Sequence, residues 1–177
     1  ITLAGDGVFS SNTATTCGGG ISVSGPITFN TSGTIESNSA KNGGGIYLTG
    51  GATMNFNEGM IRYNRATGTT GSAFTTAYQK TASQVYGVGG GVFVEESSRL
   101  LFNIGSTSFG LYGNSAEIAA DDIFANGNST TVQIPQVDAM VLNDFNVTTS
   151  RLLWAEDYVT GDTGYANGTK IINNWDA

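Results

Sequence analysis

The best candidates for a catalytic pair in this sequence are two adjacent carboxylates, Asp121 and Asp122. Hydrolysis of a glycosidic bond needs two positioned carboxyl groups, so a carbohydrate-active enzyme is one hypothesis. The sequence contains no histidine, which is the commonest general base. The pair also stands where other parts of the chain carry glycine, and this favours a structural corner. We therefore assign no catalytic residue and do not predict an enzyme.

Other candidates for chemistry are few. Asp157 and Asp162 with nearby carbonyl groups could hold calcium, but the spacing matches neither an EF-hand nor a nonapeptide calcium repeat. A surface turn is the favoured interpretation, so no metal site and no other cofactor is predicted. The single cysteine, Cys17, cannot form an internal disulfide. We interpret it as a small buried apolar residue rather than a reactive thiol.

These residues must be positioned by a larger element, and the sequence contains a repeat that could supply it. One motif occurs four times: an apolar residue, two free positions, Asn, one free position and Ala. The asparagines of successive copies are 26, 26 and 50 residues apart. A run of three residues, glycine in three of the four copies, follows each motif and precedes Ile or Val. A further apolar run then leads to the next motif. The asparagines are Asn12, Asn38, Asn64 and Asn114; the three-residue runs are Gly18–Gly20, Gly43–Gly45, Gly89–Gly91 and the degenerate Ala120–Asp122; the further apolar runs are Ile27–Phe29, Met54–Phe56 and Leu100–Ile104.

Each repeat thus holds three short strand-like segments separated by turn residues, the pattern of one coil of a parallel β-helix. Stacked coils place equivalent residues ~4.8 Å apart, so a repeated asparagine forms a ladder of amides. Asparagine also tolerates left-handed backbone angles at a corner. Glycine permits the sharp turn and the close approach of neighbouring coils.

We therefore predict an all-β protein, a right-handed parallel β-helix of about four to six coils with three short strands per coil and an irregular C-terminal cap. Residues 1–135 form the coils, with an inserted loop at 67–88. Residues 136–177 form a final coil and a C-terminal cap or junction in the same domain, where Trp154 and Trp175 suit a covered end. The predicted inward residues are Ile21, Val23, Ile46, Leu48, Val92, Val94 and Ile123.

The insertion at 67–88 delays the third glycine run and is the clearest irregularity of the repeat. Loops on a rigid scaffold concentrate binding residues. We predict that recognition, if the protein binds a partner, uses this insertion rather than the regular coils, whose faces offer small polar residues. A passive loop packed on the flank is the alternative. The predicted binding residues are Phe74, Tyr78, Gln79, Lys80 and Tyr86.

The composition of the chain limits which partners it can bind and indicates where it is located. The net charge is −7 and only seven residues are Lys or Arg, which argues against nucleic-acid binding. The chain has no run of the ~20 apolar residues that a membrane-spanning helix needs. Charged residues make up 12% of the chain, and the abundance of Gly, Ser, Thr and Asn is typical of extracellular β-proteins. We expect an extracellular or cell-surface segment processed from a longer precursor.

The asparagine motif followed by Gly-Gly-Gly-Ile or Gly-Gly-Gly-Val resembles the paired FxxN and GGA[I/L/V] motifs of polymorphic outer-membrane protein repeats. It also resembles the broader pectate-lyase-like β-helix repeats of bacterial surface proteins. The resemblance covers about residues 8 to 125, although the third glycine position is alanine in the narrower family. It implies a bacterial adhesin or stalk displayed outside the cell, with a glycan or protein of a host or neighbouring cell as partner. A polysaccharide lyase or hydrolase and a purely structural spacer are the two alternatives.

Overall fold

The computed structural model describes residues 1–68, 87–102, 109–117, 120–125, 131–133, 155–158 and 170–173. Regular structure in these ranges consists of β-strands, and no helix occurs in them. The strands are β1 (Thr2–Ala4), β2 (Val8–Ser10), β3 (Ile21–Val23), β4 (Ile27–Glu36), β5 (Ser39–Ala40), β6 (Ile46–Leu48), β7 (Thr53–Arg62), β8 (Arg65–Ala66), β9 (Val92–Val94), β10 (Arg99–Phe102), β11 (Phe109–Tyr112), β12 (Ser115–Ala116), β13 (Ile123–Ala125), β14 (Thr131–Gln133), β15 (Ala155–Tyr158) and β16 (Lys170–Asn173).

The described strands form three sheets in which equivalent strands of successive repeats are neighbours. One sheet has the order β1-β4-β7-β10-β14, with β2 beside β4 and β11 beside β7. The second has the order β12-β8-β5, and the third β15-β16-β13-β9-β6-β3. Pairing is parallel throughout, except that β16 runs antiparallel to both β13 and β15. The protein is therefore an all-β protein built from parallel sheets.

The strand register stacks like residues on like residues and builds one apolar core. Ile46 lies beside Ile21 on one side and Val92 on the other. In the long sheet, the rings of Phe29 and Phe56 stack with centroids 4.8 Å apart. The prediction of the inward residues is confirmed, since six of the seven are buried in this core and Ile21 packs against it partly buried.

The two longest strands differ from the predicted short segments. β4 and β7 each span 10 residues and join the further apolar run to the start of the next asparagine motif. Their pairing is irregular on both sides of Asn30, where the register shifts. Gly59, at φ +105°, allows β7 to bend without ending. The prediction of three separate short strands per repeat was therefore wrong for these two repeats, because the strands continue through the register shift where a turn was expected.

The glycine runs are corners where one repeat lies directly on the next. Gly43 has φ +57°, and a Cβ on Gly44 would lie 2.4 Å from the backbone of Arg65. A side chain at either position is therefore strained or excluded. This explains why glycine stands ahead of strands that are otherwise rich in β-branched residues.

The left-handed residue of each asparagine corner is not the asparagine. The residue immediately before each asparagine has φ between +54° and +61°: Ser11, Ser37, Tyr63 and Gly113. The expectation that asparagine is repeated for its tolerance of left-handed angles was therefore wrong. Its side chain is needed instead, in the hydrogen bonds described below.

Candidate functional site

The asparagines of the four repeats form a continuous ladder of hydrogen bonds. The backbone N–H and the Nδ2 of Asn38 both donate to Oδ1 of Asn64, each at 3.0 Å. Asn12 donates in the same way to Asn38, and Asn64 to Asn114. The Nδ2 group also donates to the backbone carbonyl of the first, apolar residue of the preceding motif. Asn64, for example, donates to the carbonyl of Ile35 at 2.9 Å. This bond joins the asparagine of one motif to the apolar residue of the motif before it.

Asp122 lies at the far end of this ladder. Its Oδ1 accepts from Nδ2 of Asn114 at 2.9 Å, and the side chain is fully buried. This oxygen takes the place that Oδ1 of a further asparagine would have in the ladder. The register of Asp122 in the sheet matches that of the third glycine, since its carbonyl accepts from Val92 as that of Gly91 does from Ile46.

Asp121 is also a hydrogen-bond acceptor at this end of the ladder. Ala14 donates its N–H to the carbonyl of Ser39 in the next repeat at 2.9 Å. At the last motif, Ala116 donates instead to Oδ1 of Asp121 at 2.7 Å. The two carboxylates considered for catalysis are thus both engaged as acceptors for groups of the last described asparagine motif.

The ends of the insertion meet at a single carbonyl. The amides of Gly68 and Gly87 both donate to the carbonyl of Lys41, at 3.3 and 2.7 Å. Ala66 pairs with Ala40, and Val88 bridges to Asn42. Lys41 and Asn42 are consecutive, so residues 68–87 are the segment that the third repeat adds at this corner.

The predicted binding residues belong to that added segment. Phe74, Tyr78, Gln79, Lys80 and Tyr86 lie outside the described residues. What the structure describes is the root of the insertion, whose two ends leave and rejoin the scaffold at one point. The two ends of the insertion are therefore held at one point of the strand scaffold.

An outer row of aromatic rings lies along the six-stranded sheet. Tyr47, Phe93 and Phe124 alternate with the core residues along their strands, so they occupy the opposite face of the sheet. Their rings stack with centroid distances of 4.9 and 5.2 Å, and all three side chains are buried. Both faces of β6, β9 and β13 are therefore covered, as is usual for parallel sheets, whereas Ser22 of β3 is exposed.

A polar cluster surrounds the Tyr47 hydroxyl at the end of that row. The hydroxyl lies 3.4 Å from Oε1 of Glu95, whose other oxygen accepts from Thr49 and from the amide of Gly50. Burial raises the pKa of the Tyr47 hydroxyl, and Cys17 and Glu95 raise it further. Burial also raises the pKa of the partly buried Cys17 thiol above its ordinary 9.0. Both groups stay protonated at neutral pH, so neither is a ready nucleophile.

A second surface cluster was missed by the sequence reasoning. Arg62 donates to Glu36 at 2.8 Å and to the hydroxyl of Tyr112 at 2.7 Å. Its guanidinium lies 5.7 Å from the ring of Tyr63, which is 53% exposed. The expectation that the regular repeats offer only small polar residues was therefore wrong. The available signal was that Glu, Arg and Tyr follow the apolar position in successive motifs and pair in register.

The described ranges contain no group of three or more His, Cys, Asp or Glu residues that could hold a metal ion. Asp157 lies in β15, and Asp162 lies outside the described residues. In the part of the chain that the structure describes, no helix is long and apolar enough to cross a membrane.

The fold and these contacts define the chain as an all-β protein of parallel sheets with an asparagine ladder. No family model, no curated protein and no solved structure matches it.

Proposed function

We propose that the chain is a non-catalytic module of a bacterial cell-surface or secreted protein, built as a right-handed parallel β-helix. The observation that carries this proposal is the asparagine ladder, in which successive repeats stack in parallel register. The motif resemblance to polymorphic outer-membrane protein repeats supports the same architecture and an extracellular location. Such a scaffold serves display, either as an adhesin or as a stalk.

The carboxylates support the non-catalytic assignment. Asp121 and Asp122 each accept a hydrogen bond from the last described asparagine motif, and Asp122 is fully buried. A catalytic pair must reach a substrate, and a retaining or inverting pair must also flank the bond that it cleaves. Formation of sugar products that is lost on Asp122→Asn, in a variant that still folds, would overturn this assignment in favour of a lyase or hydrolase.

Recognition is assigned to the insertion. Its ends are held by one carbonyl on the scaffold, and its sequence carries three aromatic residues, the side chains that most often anchor an interface. The partner class is a glycan or a protein of a host or neighbouring cell. The Arg62 and Tyr63 surface is the competing site, because an exposed ring beside a cation can also contact a ligand.

The test deletes residues 68–87 and joins Thr67 directly to Val88, which reproduces the Lys41–Asn42 connection of the preceding repeat. Binding of the parent and the variant is compared on a panel of neutral and acidic glycans, matrix proteins and cells. We expect the variant to fold and to lose about tenfold or more in affinity.

Tyr63→Ala is the matched control, and it should bind like the parent. If the deletion variant binds like the parent and Tyr63→Ala does not, recognition belongs to the repeat surface. A parent that binds no member of the panel would favour a purely structural spacer.

A further inference from the structure

Among the described strands, the first repeat leaves one edge open in two of the three sheets. β1 and β3 are the end strands of their sheets, and β4 is the one described strand that pairs with β2. The remaining sheet ends at β5, to which Thr13 of the first repeat adds a single bridge. The apolar residues of this repeat are less covered than their neighbours: Phe9 is partly buried, whereas its register partner Ile35 is fully buried. Val8 is 59% exposed. An open parallel edge of this kind presents unpaired backbone groups together with one end of the core.

The hydrogen-bond ladder has a defined polarity at this edge. Every later ladder residue, Asn38, Asn64 and Asn114, accepts two N–H donors from the asparagine before it. Oδ1 of Asn12 accepts no hydrogen bond from the described residues, and Asn12 is exposed. Its amide also lacks the carbonyl that the preceding motif supplies to Asn38 through Phe9.

In the part of the chain that the structure describes, the opposite end of the ladder does not complement this edge. There Asp122 accepts from Asn114, and β16 covers β13 in the antiparallel direction. A second copy stacked head to tail would therefore bring Oδ1 of Asp122, which already accepts from Asn114, to Oδ1 of Asn12, which needs a donor. Two copies stacked head to head would make the strands antiparallel, and the backbone N–H of each Asn12 would still point to its own Asn38 rather than to the other copy.

We propose that this edge is an assembly surface that accepts one more repeat of the same pattern, running parallel to β1. Such a repeat would supply the backbone and side-chain donors of its asparagine to Oδ1 of Asn12. Its apolar motif residue would offer the carbonyl that the Asn12 amide lacks, as Ile35 does for Asn64. It would also cover Val8 and Phe9. The inference rests on the ladder geometry and is independent of whether the module binds a partner.

The test adds a copy of residues 27–53 immediately before Ile1 in the full chain, which continues the register Ile1–Ile27–Met54 of the edge strands. The readout is amide hydrogen exchange in β1. Thr28 donates to the carbonyl of Ile1 at 2.8 Å and lies opposite Thr2, so the amides of Thr2 and Ala4 face the open side and that of Leu3 faces β4. We expect exchange at Thr2 and Ala4 to slow by about tenfold or more, with Leu3 changing less.

The control is the same addition with Asn38→Ala in the added copy, which removes the ladder donor but keeps the other residues. We expect this variant to lose most of the protection at Thr2 and Ala4. Equal protection with and without that asparagine would overturn the ladder as the basis of recognition. No protection from the intact copy, in a chain whose β6 amides exchange as in the parent, would overturn the proposal itself.

A second measurement guards against an added copy that does not fold. Sedimentation of the unmodified chain should show a monomer over a wide concentration range, because the two ends do not complement each other. Self-association that protects Thr2 and Ala4 as concentration rises would overturn the proposal, since a second copy would then be the occupant of this edge.

Discussion

Asn64 and Asn114 are 50 residues apart in the chain, yet they are joined by two hydrogen bonds of 3.0 Å. Asn38 and Asn64, only 26 residues apart, make the same two bonds at the same distance. The added segment of the third repeat therefore leaves the ladder geometry unchanged. Its ends close on the carbonyl of Lys41, so 20 of the 24 residues by which the two spacings differ are taken up at one corner. The other four fall between Phe102 and Phe109, whose register partners are Phe56 and Gly59.

Removing a ladder asparagine should destabilise the fold. We expect Asn38→Ala and Asn64→Ala each to lower the free energy of unfolding by about 1–3 kcal/mol, because buried hydrogen-bonding groups lose their partners. Asn12→Ala is the matched control and should cost less, because Asn12 is exposed. Chemical denaturation of the three variants gives the comparison. Equal midpoints for Asn64→Ala and the parent would show that the ladder does not contribute to stability.

Asp122 should behave as a hydrogen-bond acceptor rather than as a catalytic acid. Asp122→Asn keeps an oxygen that can accept from Asn114, so we expect it to be less destabilising than Asp122→Ala. We expect the alanine variant to lose about 1–3 kcal/mol through the unpaired Asn114 amide. Thermal denaturation ranks the two variants. The opposite ranking would contradict the acceptor role.

The glycine corner should reject a methyl group. We expect Gly44→Ala to cost about 3 kcal/mol or more, because its Cβ would lie 2.4 Å from the backbone of Arg65. Gly7→Ala is the control, since a Cβ there meets no atom within 4 Å, and it should be neutral or slightly stabilising. Expression yield and denaturation midpoint are the measurements. Similar behaviour of the two variants would contradict the close stacking at Gly44.

Stability at high pH should depend on Tyr47. Its folded-state pKa is raised above the ordinary 10.0, mainly by burial, so the unfolded chain loses this proton first as pH rises. The corresponding stability is complete below pH 10 and is lost progressively above it, through the folded-state pKa. We expect Tyr47→Phe to show a smaller fall in melting temperature between pH 9 and 11 than the parent. An identical fall in melting temperature in both proteins would mean that folding does not raise the pKa of Tyr47.

Much of the fold could be predicted because the repeat places identical residue types at identical positions. Ile46 and Leu48 were predicted to face inward from the period-2 pattern, and the structure buries both. The same pattern gave no sign that Tyr47 would be buried on the opposite face, because alternation alone does not say whether the second face is covered. The bulge near Asn30 was also missed, since it depends on how neighbouring strands register.

The candidate site was less predictable because its contacts join distant residues. Arg62 meets Tyr112 and Glu36 only after the repeats stack, and a single motif does not show this. A structural role for Asp122 could be predicted, because it stands where the other repeats have their third glycine. Its hydrogen bond with Asn114 could not be predicted. The predicted binding residues of the insertion lie outside the described residues and stay a prediction.

The most direct test of the ladder is hydrogen exchange of the asparagine side-chain amides, measured by NMR and assigned with single alanine variants. The Nδ2 groups of Asn38, Asn64 and Asn114 are buried and donate within the stack. Asn30 is exposed and serves as the reference. We predict that the three ladder amides exchange at least about a hundredfold more slowly than Asn30. Exchange of all four side chains at the rate of a free amide would contradict the stacked parallel repeat.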